Sequence, residues 1–416
     1  MIDALLAGIE EQEREDCEML HLTAYDNCLS QKARQLLSSP LSSRYQLGTL
    51  AMRQNADPVA MGEFLMKGLV YVDDFEKHAL AAAKEMFSSS VCDFRPLSGM
   101  HAMLTSLIAL TAPGDVIYSI DCDLGGHFAT QTILKLLDRK SSHIPVDRNA
   151  FTIDLDAFTL AVKKLPPQAI YLDVGCALFP VPLADIREIV GPDVLIIYDA
   201  SHTFGLIAGG QFQNPLVEGA NLLQGNTHKT FPGPQKAMLC FKERELANRS
   251  LDLLTAGLIS SPHLHHCLAL YLTLLEMQQF GKEYAMQMVK NAQTLASMLK
   301  TLGIEVLAEE RGFTKSNVLL IRGDSVGGHQ AACHKLYDCH IATNSRHGFG
   351  EEVIRVGVQE VTRRGMKEEE METIALFFKK ALIEKKSSRE LKEEIKSFTK
   401  NYQEVHFSFD KETCYC

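Results

Sequence analysis

The sequence has no apolar stretch long enough to span a bilayer, no excess of basic residues, no P-loop, no Rossmann glycine fingerprint, no internal repeat and no low-complexity tract. Each absence removes a class of function. A membrane helix needs about 20 consecutive apolar residues. A nucleic-acid surface needs clustered Lys and Arg, whereas 42 basic side chains face 52 acidic ones here, for a formal charge of -10. Without a glycine-rich phosphate loop, nucleotide dependence is not expected. The segment from Met1, MIDALLAGIEEQERED, has no basic flank followed by an apolar core, so the expected location is cytoplasmic. The eleven cysteines are scattered without a framework spacing, and Cys414 and Cys416 stand too close together to suggest a structural bridge. They read as free thiols of a reducing compartment. Neither His263, His265, His266 and Cys267 nor His329, Cys333, His334, Cys339 and His340 match a zinc spacing, so no metal is expected.

What is present is enough for two packed units, since 416 residues exceed the size at which one core stops growing. Ile2, Leu5, Leu6 and Ile9 recur at helical spacing and open an N-terminal helix and arm over 1–50, of the kind that packs on a partner subunit. A large unit follows over 51–262. It has a helix at Phe75–Phe87, a loop Arg95–Gly99 feeding the helix His101–Leu110, and short apolar strands at Val116–Tyr118, Ala169–Leu172, Val194–Tyr198 and Ala237–Cys240. That rhythm predicts an α/β architecture with a mostly parallel sheet. Residues 263–416 read as a connector helix, Leu264 to Leu299, leading into a smaller α+β unit. The strands Val318–Ile321 and Val353–Val356, a helix Lys367–Ile383 and a charged, solvated tail helix over 385–400 belong to it.

The chemistry concentrates in Tyr198-Asp199-Ala200-Ser201-His202 and Gly225-Asn226-Thr227-His228-Lys229-Thr230. An aspartate at the carboxyl end of a buried strand faces the crevice where open α/β sheets bind ligands. A carboxylate there needs a cationic partner, and a protonated pyridine nitrogen is one, kept as an electron sink by the ion pair. Lys229 sits in a small, polar stretch where a lysine can carry an aldehyde as a Schiff base. Alone, Asp199 is more simply a turn cap and Lys229 a solvated lysine; their joint setting points to pyridoxal 5'-phosphate.

With these motifs the chain resembles the serine hydroxymethyltransferase family of fold-type-I pyridoxal-phosphate enzymes. The resemblance rests on Asp199-Ala200-Ser201-His202 continuing to Gly209-Gly210 and on Thr227-His228-Lys229-Thr230, with weaker likeness from Leu22 to Ile374. It implies an aspartate-aminotransferase-like fold with a large cofactor domain and a small C-terminal one. It also implies roles. Lys229 is the Schiff-base lysine, with His228 beside it; Asp199 pairs with the pyridine nitrogen; His202 lies on the phenolic-oxygen side. Ser98, Gly99 and Met100 match the family's phosphate-binding S-G-A, and His127 of Gly125-Gly126-His127 stacks on the ring. Tyr45 resembles the tyrosine that reaches a phosphate across a homodimer with shared active sites, and Arg355 the clamp for the substrate carboxylate.

The departures bear on substrate. Where the family has K-Y-A-E-G, whose glutamate handles protons between folate and the one-carbon unit, this chain has Leu47, which cannot. The family's A-S-E-N becomes Ala24-Tyr25-Asp26-Asn27, placing Tyr25 on the substrate side. Its G-A-S-A-Y resembles Gly175-Cys176-Ala177-Leu178-Phe179, and its G-K-R-Y-Y-G-G has no counterpart between Thr49 and Val70. Cofactor residues are kept while tetrahydrofolate residues are not. The expected function is therefore cleavage or formation of the Cα–Cβ bond of a β-hydroxy-α-amino acid by a folate-independent aldolase or transaldolase, with an amino acid and an aldehyde as ligands. Alternatives are folate-dependent hydroxymethyl transfer, a pyridoxal-phosphate aminotransferase, racemase or α-substitution enzyme, and a catalytically silent partner protein.

Overall fold

Short runs of aliphatic and β-branched residues bounded by turns make a central seven-stranded sheet. The structure is a computed structural model that describes residues 1–54 and 69–410. The strands are β1 (Val91–Asp93), β2 (Val116–Ser119), β3 (Lys140–His143), β4 (Ala169–Leu172), β5 (Leu195–Asp199), β6 (Leu222–Asn226) and β7 (Ala237–Phe241). They are ordered β1-β7-β6-β5-β4-β2-β3. β2 to β6 pair in parallel, while β7 runs antiparallel to both β1 and β6. β4 and β7 are buried along their whole length, which is why they read as unbroken apolar runs rather than alternating ones. β3, Lys-Ser-Ser-His, is a polar edge strand that carries no such signal.

Helices cover the sheet. The helix Gly99–Leu110 begins two residues before the predicted His101, because the Ser98 hydroxyl accepts the His101 N–H and caps it. The helix Leu264–Thr301 serves two cores: Leu268, Tyr271 and Leu274 enter that of the large sheet, and Leu295, Ala296 and Leu299 enter a second. The second core lies on a small antiparallel sheet of β8 (Val318–Arg322), β9 (Asn344–Gly348) and β10 (Glu351–Gly357), ordered β8-β10-β9, with the helix Glu368–Leu382 packed over it.

Two features differ from the sequence reading, the tail helix and one cysteine, and the structure adds where the arm begins. The tail helix, Ser388–Thr399, is not fully solvated: Leu391, Ile395 and Thr399, four residues apart, are buried, the first two in the second core, so one face of this charged segment packs. The N-terminal arm is joined to this chain's own small unit, since Leu20–His21 pairs in parallel with Ile341–Ala342. The helix Ile2–Cys17 before it buries no residue. Among the described cysteines, Cys92, Cys176, Cys240 and five others are free thiols, but Cys17 is disulfide-bonded. The tyrosine-motif gap between Thr49 and Val70 falls mostly, and Cys414 and Cys416 wholly, outside the described residues. No described helix is long and apolar enough to cross a membrane.

Candidate active site

The carboxyl ends of the parallel strands open into one cavity. Asp199 ends β5, Asp173 follows β4 by one residue, Asn226 ends β6, and the helix at Gly99 points its N-terminus inward. This is the crevice in which such sheets bind ligands. Of the residues singled out from sequence, Gly99, Met100, His127, Asp199, His202 and Lys229 line it together.

Asp199 is held from both sides. Its Oδ2 accepts from the Tyr171 hydroxyl at 2.7 Å and from Gln224 Nε2 at 3.0 Å, and its Oδ1 accepts from the Ser201 N–H at 3.0 Å and hydroxyl at 2.6 Å. All four donors are neutral. Ser201 in turn receives the Asn226 N–H at 3.1 Å, and Asn226 Oδ1 accepts the Gly99 N–H at 2.8 Å, so one chain of bonds ties the aspartate to the helix N-terminus. A Cβ at position 99 would lie 2.6 Å from Asn226 Oδ1, which explains a glycine there.

Lys229 lies in a loop fixed by its neighbours: Thr227 Oγ1 donates to Pro234 O at 2.6 Å, and the Thr230 hydroxyl accepts the Gly205 N–H at 3.0 Å. Burial pushes the Lys229 ammonium down to about 8; Asp199 opposes that shift, and Arg355 and Arg346 add to it. Its Nζ is 3.1 Å from His202 Nε2. His202 Nδ1 lies 3.2 Å from the Ala24 carbonyl, which only accepts, so Nδ1 carries the proton and Nε2 is free to accept from the lysine. Burial, then the Lys229 charge, keep His202 neutral, well below the usual histidine range. His127 is likewise pushed down by burial, and its ring stands 4.6 Å from that of Phe128.

The remaining predicted residues surround the cavity without lining it. Arg355 is buried, with Nη1 on Gly175 O at 2.6 Å and Nε on Asn344 Oδ1 at 3.2 Å. His228 has a buried Nδ1 with no hydrogen-bond partner, and burial followed by the Lys229 charge pushes it down to about 4. Ser98 is exposed and engaged as the helix cap. Tyr25 and Tyr45 are 40% and 57% exposed. Leu47 lies outside the cavity too, its carbonyl accepting from Arg53 Nη1 at 3.2 Å.

Sequence reasoning missed Asp173, Asn226 and Arg346, all cavity-lining. Burial pushes the Asp173 carboxyl up to about 7 although Thr130 Oγ1 donates to it at 2.5 Å and the His127 N–H at 3.1 Å; its Oδ1 is buried without a partner. The signal for Asp173 was the one that found Asp199, an acid at the carboxyl end of an apolar strand. Among the described residues, no group of three His, Cys, Asp or Glu could hold a metal ion.

Residues 1–378 match the family model described as serine hydroxymethyltransferase. The chain is 38% identical over 410 residues to a fluorothreonine transaldolase of Streptantibioticus cattleyicolor, covering 98% of this chain and 64% of that protein, so it spans less than two thirds of that relative's length. It is 35% identical over 403 residues to a serine hydroxymethyltransferase of Methanosphaera stadtmanae, covering 94% and 92% of the two chains. The crystal structure of an L-threonine transaldolase from Pseudomonas fluorescens, in its internal aldimine state, superposes with a TM-score of 0.91 at 29% identity, over 98% of this chain and 94% of that one. The fold expected from the sequence, α/β of fold type I, is borne out.

Proposed function

The chain belongs to the serine hydroxymethyltransferase family, and from that membership we propose that it breaks and forms the Cα–Cβ bond of β-hydroxy-α-amino acids without folate, as a pyridoxal-phosphate aldolase or transaldolase. The observation that carries this reading is the convergence of Lys229, Asp199, His127 and the helix N-terminus at Gly99 on one cavity, in a chain similar to two transaldolases and with Leu47 where folate users of the family have a glutamate.

The residues fit pyridoxal phosphate. A carboxylate held only by neutral donors, as Asp199 is, suits a cationic ring nitrogen. The helix N-terminus at Gly99, whose N–H now donates to Asn226 Oδ1, suits a phosphate that would take the place of that amide oxygen. Bound there, the cofactor supplies an electron sink for the bond broken at the α-carbon. Asp199 would hold the proton at the ring nitrogen. Neutral His202 orients the Lys229 amine, which burial keeps partly unprotonated and nucleophilic. His127 and His228 are both pushed toward the neutral form by burial; His127 would stack on the ring of the bound cofactor, and His228 stands beside the lysine in sequence. Arg355 keeps Nη2 for the substrate carboxylate, and Tyr25 stands on the substrate side. Ser98, Gly99 and Met100 hold the phosphate end. Exposed Tyr45 supports a homodimer in which it reaches the neighbouring subunit's phosphate; eight free thiols among the described cysteines favour a cytoplasmic location, and the disulfide-bonded Cys17 counts against it. After cleavage, the glycine unit either leaves protonated or passes to another aldehyde.

The test is a crossover reaction. Holoenzyme given L-threonine and a second aldehyde, without folate, is expected to release acetaldehyde and form a new β-hydroxy-α-amino acid. Formation of a keto acid and pyridoxamine phosphate instead would replace this reading with transamination.

A further inference from the structure

Two arginines of the small sheet meet at one glycine of the cavity wall. Arg355 Nη1 donates to Gly175 O, and Arg346 lies so close that a Cβ on Gly175 would be 2.6 Å from its Nη1. Strand register explains the pairing: Asn344 on β9 is opposite Arg355 on β10, and Arg346, two residues on, leaves the same face roughly 7 Å along the strand. Arg346 lines the cavity, which Arg355 does not. Its Nη2 donates to Gly126 O at 3.0 Å and its Nε to His347 O at 2.9 Å, so both acceptors are neutral carbonyls. Of the two acids lining the same cavity, Asp199 is engaged by Tyr171, Gln224 and Ser201, while Asp173 accepts from Thr130 and the His127 N–H through Oδ2, is pushed up to about 7 by burial, and forms no ion pair with Arg346. After burial, Arg346 is among the charges that oppose protonation of Lys229, His202 and Arg355. Two like charges held close together without a counter-ion are costly unless an anion joins them. The substrate's α-carboxylate serves Arg355.

The geometry points to Arg346 as the receptor for a second anionic group, a carboxylate or phosphate, on the β-substituent of the amino acid. The substrate class is then a β-hydroxy-α-amino acid with an acidic side chain, and the aldehyde released or taken up carries the same charge. The aldehyde rests on the carbon–carbon chemistry proposed above; the binding of the acidic side chain does not.

The experiment titrates holoenzyme with L-threonine, with 3-hydroxyaspartate, in which a carboxylate replaces the threonine methyl group, and with 4-phosphooxythreonine, following the cofactor's visible absorption. At least one acidic ligand is expected to bind about 10- to 100-fold more tightly than threonine, as a charge-assisted hydrogen bond provides; which of the two wins tells carboxylate from phosphate. Arg346→Gln should bring that ratio to within about threefold, and Arg346→Lys should keep part of it. Equal or tighter binding of threonine by the wild type overturns the inference, as does an equal loss for all three ligands in Arg346→Gln. Should that variant fail to hold cofactor, the wild-type ratio and Arg346→Lys decide. If the ratio holds but none of the three amino acids yields an aldehyde, the carbon–carbon chemistry is wrong and the anion site stands.

Discussion

Lys229 should titrate more than two pH units below an ordinary lysine before cofactor is bound. Its amine is buried beside neutral His202, and burial, with Arg355 and Arg346 adding to it, brings it to about 8 from 10.5. At pH 7 roughly 9% of the amine is then neutral, against about 0.03% for an unperturbed lysine, a gain of roughly 300-fold in the nucleophilic form. The assay is competitive acetylation of cofactor-free protein between pH 6 and 11, with the Lys229 peptide quantified by mass spectrometry against an exposed lysine. Restricted reagent access lowers the amplitude of labelling without moving its midpoint, which is expected near pH 8. Asp199 favours the charged amine, so Asp199→Asn should move the midpoint lower still. A midpoint above pH 10, or an upward shift in Asp199→Asn, would refute the argument that desolvation prepares this lysine.

Lys229→Ala is expected to abolish turnover in the aldehyde-release assay. Arg355→Ala should act mainly on binding, raising the KM of the amino acid about 100-fold with a smaller loss in kcat, as removal of a charge-assisted clamp does. Gly205→Ala would put a Cβ 2.1 Å from Thr230 O, beside the lysine loop; thermal unfolding should report a loss of about 1–3 kcal/mol or more. Asp173 is raised in the folded protein, so its contribution is fully present below the unfolded value near 4 and is lost as pH rises through about 7. Asp173→Asn keeps an acceptor for Thr130 without the charge. Its unfolding midpoint relative to wild type should therefore rise between pH 4 and pH 8, by up to the order of 4 kcal/mol, and a flat difference would mean that the carboxyl is not held protonated.

The parts of the site legible in the sequence were those written in contiguous patterns. Asp199 and His202 share one motif and Lys229 stands in another, and the loop before Gly99 announces a helix N-terminus; the structure brings all four to one cavity. Arg346 carries no local pattern, because what places it is the register of β9 on β10, and Asn226, although it stands in the lysine motif, takes its role from its place at the end of β6 opposite Gly99; both are relations between distant segments. β6 itself was hidden by Gln224 and Gly225, polar and small residues inside a buried strand, yet Gln224 is there to hold Asp199. The tail helix was misread because its charge count masked the four-residue spacing of Leu391, Ile395 and Thr399. Tyr45 was assigned by likeness alone, and in a single chain it stands 57% exposed.

The measurement that bears most directly on the central claim is aldehyde and glycine release from a panel of β-hydroxy-α-amino acids, by holoenzyme of spectrally confirmed cofactor content, with and without tetrahydrofolate. Release at the same rate in both conditions from at least one member is the predicted result. Turnover only when tetrahydrofolate is present would contradict it and return the chain to hydroxymethyl transfer.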